Sequence, residues 1–472
     1  MLSQLNNWID GKSVAPRAGN YVTGIDPATG RDTVDIAASD ASDVDGAVQA
    51  AKRAADAWRR YPSADRLRVL NRIAHEIRRH ADELATLEIQ ETGKPKKTAL
   101  TEIENSAAYF EFYAGLVNVP VGEVLDVDPD QHVFTTREPF GVVGVITPWN
   151  VPLNQAARAT APALATGNVV VVKPAETTSQ TTVFLAKLAT QAGLPDGVFN
   201  VVLGAGSVGA AIVGHCDVRK VAFTGSVRTG KAIGMVAAER IIPLTLELGG
   251  KSANIVFADA DLDFAASETV RAFTSNAGQV CSAGTRLLVE ASIHDEFVTR
   301  VTERAAALRE GVEVGPLITR TQYEQVQRYF EVARIEGARP TLGGSVSQNP
   351  ALAGGFFVQP TIYPGVSKDM RIAREEIFGP VLVTLPFEHE RDAIGLANDS
   401  DFGLVAGVFT RDIGRALRVA SAIEAGQVFV NSWSTGAVQT PFGGHKNSGY
   451  GREKGLEAML HYTQTKSTVV VY

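Results

Sequence analysis

Cysteine is almost missing from this chain, with two residues in 472. Two cysteines build no disulfide framework, so an ordinary core must hold the fold, as suits a reducing compartment. Aromatic residues are sparse, at 7% of the chain, and no apolar run approaches the ~20 residues needed to span a bilayer. The opening "MLSQLNNWIDGK" lacks the charged-then-apolar pattern of a secretory signal, so a cytoplasmic location is expected. A positive charge excess is missing too. The net charge is −7, and the Arg-rich text at 72–80 is interleaved with apolar residues at helical spacing, as on a solvated helix face. Neither nucleic acid, which needs clustered Lys and Arg, nor a membrane is an expected partner. The eight histidines show no metal-ligand spacing, and no metal is expected.

What is present is a long, evenly apolar chain. It exceeds one ordinary core, and 45% hydrophobic residues suit an α/β protein of two or three domains. Helical periodicity begins near Ser42, with Val44, Ala47, Val48, Ala51, Ala55 and Trp58 on one face. A second helix is predicted from about Ser63 to Gly93, burying Leu67, Leu70, Ile73, Ile77 and Leu84, and a third over 98–116. Residues 142–248 alternate short Val-rich runs ("VVGVI", "NVVVVK", "FNVVL", "KVAFT", "PLTLEL") with helices at about 152–165, 178–192, 207–214 and 227–238. Such runs are buried on both faces of a parallel sheet, and repeated strand–helix units imply a doubly wound α/β fold. A second α/β set over 249–447 has "ANIVF", "RLLVE", "VLVTLPF", "VAGVFT" and "QVFVN" as strands. An extended stretch near 124–140 and the C-terminal "TKSTVVVY" belong to neither set.

Glycine-rich loops suggest where phosphates bind. "GAGSVG" (204–209), containing Gly206 and Gly209, is a literal G-x-G-x-x-G between strand and helix. The dinucleotide fingerprint also needs an acid at the end of the next strand, and that strand ends in Thr224 and Gly225. The turn "FTGSVRTG" (223–230) is the better candidate. Ser226 and the N–H groups opening the next helix can hold a pyrophosphate, with an ordinary turn through Gly225 and Gly230 as the alternative. "KPAE" (173–176) sets Lys173 at a carboxyl strand end and Glu176 three residues on, near the crevice where such sheets bind ligands.

"GQVCSAGTR" (278–286) places Cys281 among small and polar residues, where a nucleophile is accessible. Cys216, in "GHCDV", has no motif and reads as structural. "TPWN" (147–150) ends in Asn150, whose amide can donate to an oxyanion, and "LELGGK" (246–251) puts Glu247 at the end of the fifth strand. "EEIFGPV" (375–381) offers Glu376 and Phe378, and "PFGGHKNSGYGRE" (441–453) is a Gly-rich loop. Singly, each has a dull explanation as a cap, a surface carboxylate or core.

Together, and in this order, the motifs resemble the aldehyde dehydrogenase superfamily, from "WIDGK" through "GYGRE". The resemblance implies an NAD-binding domain over 1–121 and 142–248, and a catalytic domain over 249–447. It implies an oligomerisation arm and tail over 122–141 and 448–472, in a homodimer or homotetramer. Cys281 would be the nucleophile, Glu247 the general base, and Asn150 with the Cys281 N–H the oxyanion hole. Lys173 and Glu176 would hold the adenosine ribose, Ser226 the pyrophosphate, and Glu376 with Phe378 the nicotinamide ribose and ring. Ile146, Trp149, Gly206, Gly209, Gly225, Gly230 and Leu248 complete the implied NAD contacts. An acid at Glu176 would favour NAD over NADP, by bonding the ribose 2′-OH. The chemistry is coherent: an aldehyde gives up hydride only once a nucleophile has made its carbon tetrahedral, and a thiolate does this.

Rival readings fare worse. A cysteine hydrolase would need a histidine partner, and a CoA-acylating relative would pass its thioester to CoA, whereas Glu247 favours hydrolysis. A catalytically silent NAD-binding or structural relative would not be expected to keep Cys281, Glu247 and Asn150 together. The resemblance also implies a substrate funnel lined by Val151, Gln155, Arg158, Ser275, Val280, Trp433, Ser434 and Gly436. Val151, Ser275 and Gly436 stand where general aliphatic enzymes often carry large aromatics, which implies a roomy funnel. Arg158, two helical turns after Asn150, either clamps a distal carboxylate or polar ring substituent or forms a structural ion pair. No second cation stands at Ser275. A bulky aromatic or cyclic aldehyde is therefore expected, ahead of a semialdehyde and then a short aliphatic aldehyde.

Overall fold

The computed structural model describes residues 2–119, 121–433 and 437–472. Two parallel sheets, each flanked by helices, make an α/β fold. The first sheet runs in the order Gly449–Tyr450, Leu244–Glu247, Lys220–Thr224, Val142–Ile146, Val169–Lys173, Phe199–Val201, Asn7–Ile9, Lys12–Val14. Its five central strands are parallel, and their near-continuous burial explains the Val-rich runs. Val142–Ile146 has later strands on both sides, so the chain winds outward from it in two directions.

Helices cover this sheet. Ala41–Arg59 begins at Asp40, whose side chain accepts from the chain ahead while Asp43 reaches back to the Asp40 N–H. Its apolar face buries Val44, Ala47, Val48 and Trp58, and the Trp58 indole N–H donates to the Leu164 carbonyl at 3.2 Å. The single helix expected over 63–93 is two, Ser63–Arg79 and Ala81–Thr92, which share His80 as terminus. No glycine or proline marks this break. His80 bends the backbone to φ −103°, ψ 24° and sets its ring edge-on to Phe184. The same ring sets Nδ1 2.9 Å from the Glu76 carbonyl, a local contact at the end of the first helix.

The second sheet runs Thr361–Tyr363, Val381–Phe387, Arg286–Glu290, Ala253–Val256, Val405–Phe409, Gln427–Val430, all parallel. Thr361–Tyr363 is an addition to the five strands expected. The arm pairs Gln131–Pro139 antiparallel with Thr463–Val471 along nine residues of each strand. The expected start of the tail at 448 moves. Gly449–Tyr450 completes the edge of the first sheet by pairing with Leu246 and Glu247, and Gly455–His461 lies against the helix Pro152–Ala165. An uncovered edge strand leaves backbone donors and acceptors wanting partners, which is what this segment supplies. Cys216 is exposed, a correction to its reading as a structural residue. Among the described residues no helix is long and apolar enough to cross a membrane.

Candidate active site

The strand carboxyl ends around Val142–Ile146 open onto a crevice of two joined cavities, about 470 and 230 Å³. Both touch Trp149, Thr224, Gly225 and Ser226. The larger is lined by Ile146, Lys173, Glu176, Gly206 and Gly209. Lys173 is buried at its strand end, and its Nζ lies 3.1 Å from Oε2 of the more exposed Glu176. The helix Val227–Arg240 starts at Ser226, whose Oγ accepts from the Thr229 N–H, so its positive end faces this cavity. Gly230, in the first turn, lies under Leu248.

The smaller cavity gathers Asn150, Gln155, Glu247, Cys281, Glu376 and Phe378. Trp149 and Phe378 meet edge to face, with ring centroids 5.4 Å apart. Glu376 accepts from the Gly250 N–H at 3.0 Å, and burial pushes its carboxyl up to about 7. Gln322 and Gln325 also line this cavity; no sequence signal pointed to them. Gln322 donates to the carbonyls of Ile377 and Phe378 at 2.8 and 2.9 Å and so fixes the loop that carries Phe378.

Glu247 ends the strand Leu244–Glu247, in register with Thr224 on one side and Gly449 on the other. It is buried, and neither carboxylate oxygen has a hydrogen-bond partner among the described residues. Burial, then the nearby Glu453, holds its carboxyl well above the usual range. Gly443 lies so close that a Cβ there would stand 2.7 Å from Glu247 Oε1.

Cys281 follows the helix Leu262–Thr274 and a tight turn in which Asn276 and Ala277 take left-handed φ of 51° and 53°. Gly284 N–H donates to the Ala272 carbonyl at 3.0 Å and pins the loop. Gly250 is needed beneath it, because a Cβ there would sit 2.4 Å from the Cys281 carbonyl oxygen. Burial pushes the Cys281 thiol up to about 12, while the charge of Arg158 draws it down.

Asn150 is braced from two sides. Its Nδ2 donates to the Gln279 carbonyl at 2.8 Å. Its main-chain carbonyl accepts from Asn276 Nδ2 at 3.0 Å and from Lys94 Nζ at 3.3 Å. Lys94 is itself buried between Glu88, at 2.9 Å, and Glu102. This brace was not foreseen; the only hint in "ETGKP" is a lysine in a helix-ending turn.

The funnel positions separate. Gln155 lines the smaller cavity, Val151 and Val280 are half-buried, and Trp433 packs in the apolar cluster that Cys281 borders. Ser275 is exposed and opens on a neighbouring cavity of about 320 Å³ with Arg271 and Asn276. Ser434 and Gly436 lie outside the described residues. Arg158 takes the ion-pair alternative: it is buried against Glu453, and its guanidinium lies 4.5 Å from the Phe442 ring centre. Phe442 and Glu453 stand in the quoted "PFGGHKNSGYGRE", yet spacing alone could not show that they meet Arg158. Far from this site, His215, Cys216 and Asp217 bring possible ligand atoms within 4.8 Å of one another. His215 is engaged by Asp45, and Asp217 by Lys52.

The chain is matched along its length by known proteins. The aldehyde dehydrogenase family profile covers residues 14–468. A betaine aldehyde dehydrogenase of Cereibacter sphaeroides is 43% identical, over 98% of this chain and 97% of its own. The solved structure of a Staphylococcus aureus betaine aldehyde dehydrogenase in complex with NAD+ matches with a TM-score of 0.97 at 39% identity, covering 99% of this chain and 94% of that one. An indole-3-acetaldehyde dehydrogenase of P. syringae, in complex with NAD+ and IAA, matches with a TM-score of 0.97 at 40% identity, covering 100% and 97%. A match that takes in both sheets, the arm and every motif around the crevice leaves one conclusion: the chain belongs to the aldehyde dehydrogenase family.

Proposed function

We propose that this protein oxidises a bulky aromatic or otherwise cyclic aldehyde to the carboxylic acid, with NAD as oxidant. The observation that carries the reading is the meeting of Asn150, Glu247 and Cys281 in one cavity at the end of a longer crevice. The crevice residues fit NAD by their chemistry. Lys173 and Glu176 suit a ribose, the helix end at Ser226 suits a pyrophosphate, and the wall formed by Trp149 and Phe378 suits a flat ring. Glu376 would accept from ribose hydroxyls beside it.

Cys281, as thiolate, forms the bond to the carbonyl carbon, and the electron pair moves onto oxygen. The Asn150 amide N–H not spent on Gln279 and the Cys281 backbone N–H stabilise that oxyanion. The chemistry NAD supplies when bound is acceptance of the hydride, which leaves a thioester on Cys281. Glu247, with both oxygens unpartnered, first takes the thiol proton, releases it to solvent, and then takes one from the water that hydrolyses the thioester. Burial holds thiol and carboxyl above their ordinary ranges, so charging both at once is disfavoured and the pair has to lose a proton before reaction.

The small side chain of Val151, next to Asn150, supports a large substrate. A quaternary ammonium aldehyde would want free aromatic faces, whereas the Phe442 ring here is already engaged by Arg158. The unpaired edge of Thr463–Val471, with Val469, Val471 and Tyr472 exposed, supports pairing across subunits into a dimer or tetramer. Two free cysteines support a cytoplasmic location.

The test is NADH formation with benzaldehyde, indole-3-acetaldehyde, succinic semialdehyde and acetaldehyde. Turnover should be best with the cyclic substrates, and Cys281→Ala should abolish it while NAD still binds. Substantial turnover by Cys281→Ala, or acetaldehyde as best substrate, would overturn the reading.

A further inference from the structure

The ring of Phe442 lies between two cations. Arg158 Cζ is 4.5 Å from its centre and Lys454 Nζ is 5.4 Å away. Phe442 belongs to the apolar cluster with Trp433 that Cys281 borders. Only one nearby carboxylate is spent on these charges: Glu453 pairs with Arg158. The Lys454 ammonium has no hydrogen bond or ion pair with any described residue, although it feels the charges of Arg158, Glu453, Cys281 and Glu247. Like Cys281 it is half-buried, whereas Arg158, Glu247 and Glu453 are buried.

The backbone adds a second observation. Lys454 has φ 60° and ψ 172°, a conformation that is close to glycine-only. A neutral aldehyde would leave the Lys454 ammonium partly desolvated and unanswered, which is costly. A carboxylate would supply the missing partner through a charge-assisted hydrogen bond. Burial lowers this lysine to about 8, which still leaves it a cation at neutral pH.

We infer that Lys454 is a specificity-determining residue, and that the preferred aldehyde carries an anionic group, a carboxylate, distal to its carbonyl. The inference rests on the aldehyde-oxidising reading of the Cys281 site and names its substrate class. It also supplies the second cation that Ser275 does not.

The experiment compares kcat/KM for 4-carboxybenzaldehyde and 4-methylbenzaldehyde at saturating NAD, in the unmodified enzyme, Lys454→Met and Lys454→Arg. The carboxylated substrate should be preferred by about tenfold or more, the scale of a hydrogen bond to a charged group. That ratio should collapse toward one in Lys454→Met, mainly through KM, and survive in Lys454→Arg. Because the ratio is taken within one preparation, a loss of folded protein cancels. Equal or better use of the neutral aldehyde, or a ratio unchanged by Lys454→Met, overturns the inference. If no aldehyde is turned over, the oxidation reading fails. The inference is then decided by calorimetric binding of benzene-1,4-dicarboxylate: weaker by about tenfold in Lys454→Met supports it, and equal binding overturns it.

Discussion

Replacing Lys94 by methionine tests how the oxyanion donor is held. The ammonium is buried, with 1% of its side chain exposed, against Glu88 at 0% and Glu102 at 14%. Methionine keeps most of the aliphatic volume, so the cost is electrostatic. Removing one member of such a cluster typically costs about 3–5 kcal/mol, because the remaining charges stay buried without a partner. Two carboxyls lose their cation here, and they can escape only by keeping protons. Glu102 already sits at about 8 through burial, and Glu91 close by is likewise pushed up to about 8. The sign of the pH dependence follows. Unfolded carboxyls ionise near their ordinary 4.5, so a raised folded-state value costs stability as pH climbs from there toward the folded value. Lys94→Met should therefore unfold near wild-type urea at about pH 5 and fall short by about 3–5 kcal/mol at about pH 8. Its kcat should drop by up to the ~10²-fold loss of one oxyanion donor, since the Asn150 carbonyl keeps only Asn276. Adding Glu102→Gln should recover part of the stability. A deficit below about 1 kcal/mol at neutral pH, or one that shrinks as pH rises, would refute this reasoning.

Three further outcomes are expected. Gly443→Ala puts a methyl 2.7 Å from both Glu247 Oε1 and the Gly451 carbonyl, so kcat should fall by about tenfold or more with a pre-steady-state burst of NADH; unchanged kcat would show that Glu247 does not act from this position. Glu176→Ser should raise kcat/KM with NADP relative to NAD, and comparable use of both cofactors by the unmodified enzyme would remove the basis for that preference. The thiol of Cys281, pushed up to about 12, and the raised carboxyl of Glu247 must share a proton loss before reaction, so kcat/KM should climb with pH across the neutral range; a flat profile would contradict it.

The parallel strands and the four helices of 142–248 were legible because runs such as "VVVVK" are buried on both faces and end at glycine-rich turns. Cys281, Glu247 and Asn150 were legible because each sits in a short motif at a strand or loop end. The break at His80 was not, since no glycine or proline marks it and its contacts, with the Glu76 carbonyl and the Phe184 ring, show only in the fold. The strand Thr361–Tyr363, three residues long before Pro364, is too short to show a period. Arg158 shows the limit most clearly. Helical spacing put it near Asn150, but choosing between clamp and ion pair required Glu453, which only the fold brings there. Lys454 and Lys94 were missed for the same reason: what matters is which carboxylates they meet or fail to meet.

The loop 441–453 is bonded to both halves of the molecule. At Gly449–Tyr450 it is stitched to the strand that ends in Glu247, and at His445–Lys446 it is stitched to Phe402–Gly403. Mechanically, this is a strap riveted across the jaw of a clamp, with Glu247 beside one rivet. The halves cannot swing apart at the cleft without shearing ladder bonds next to Glu247. On the proposed function, ligands therefore enter and leave along the crevice, with no need for the halves to part.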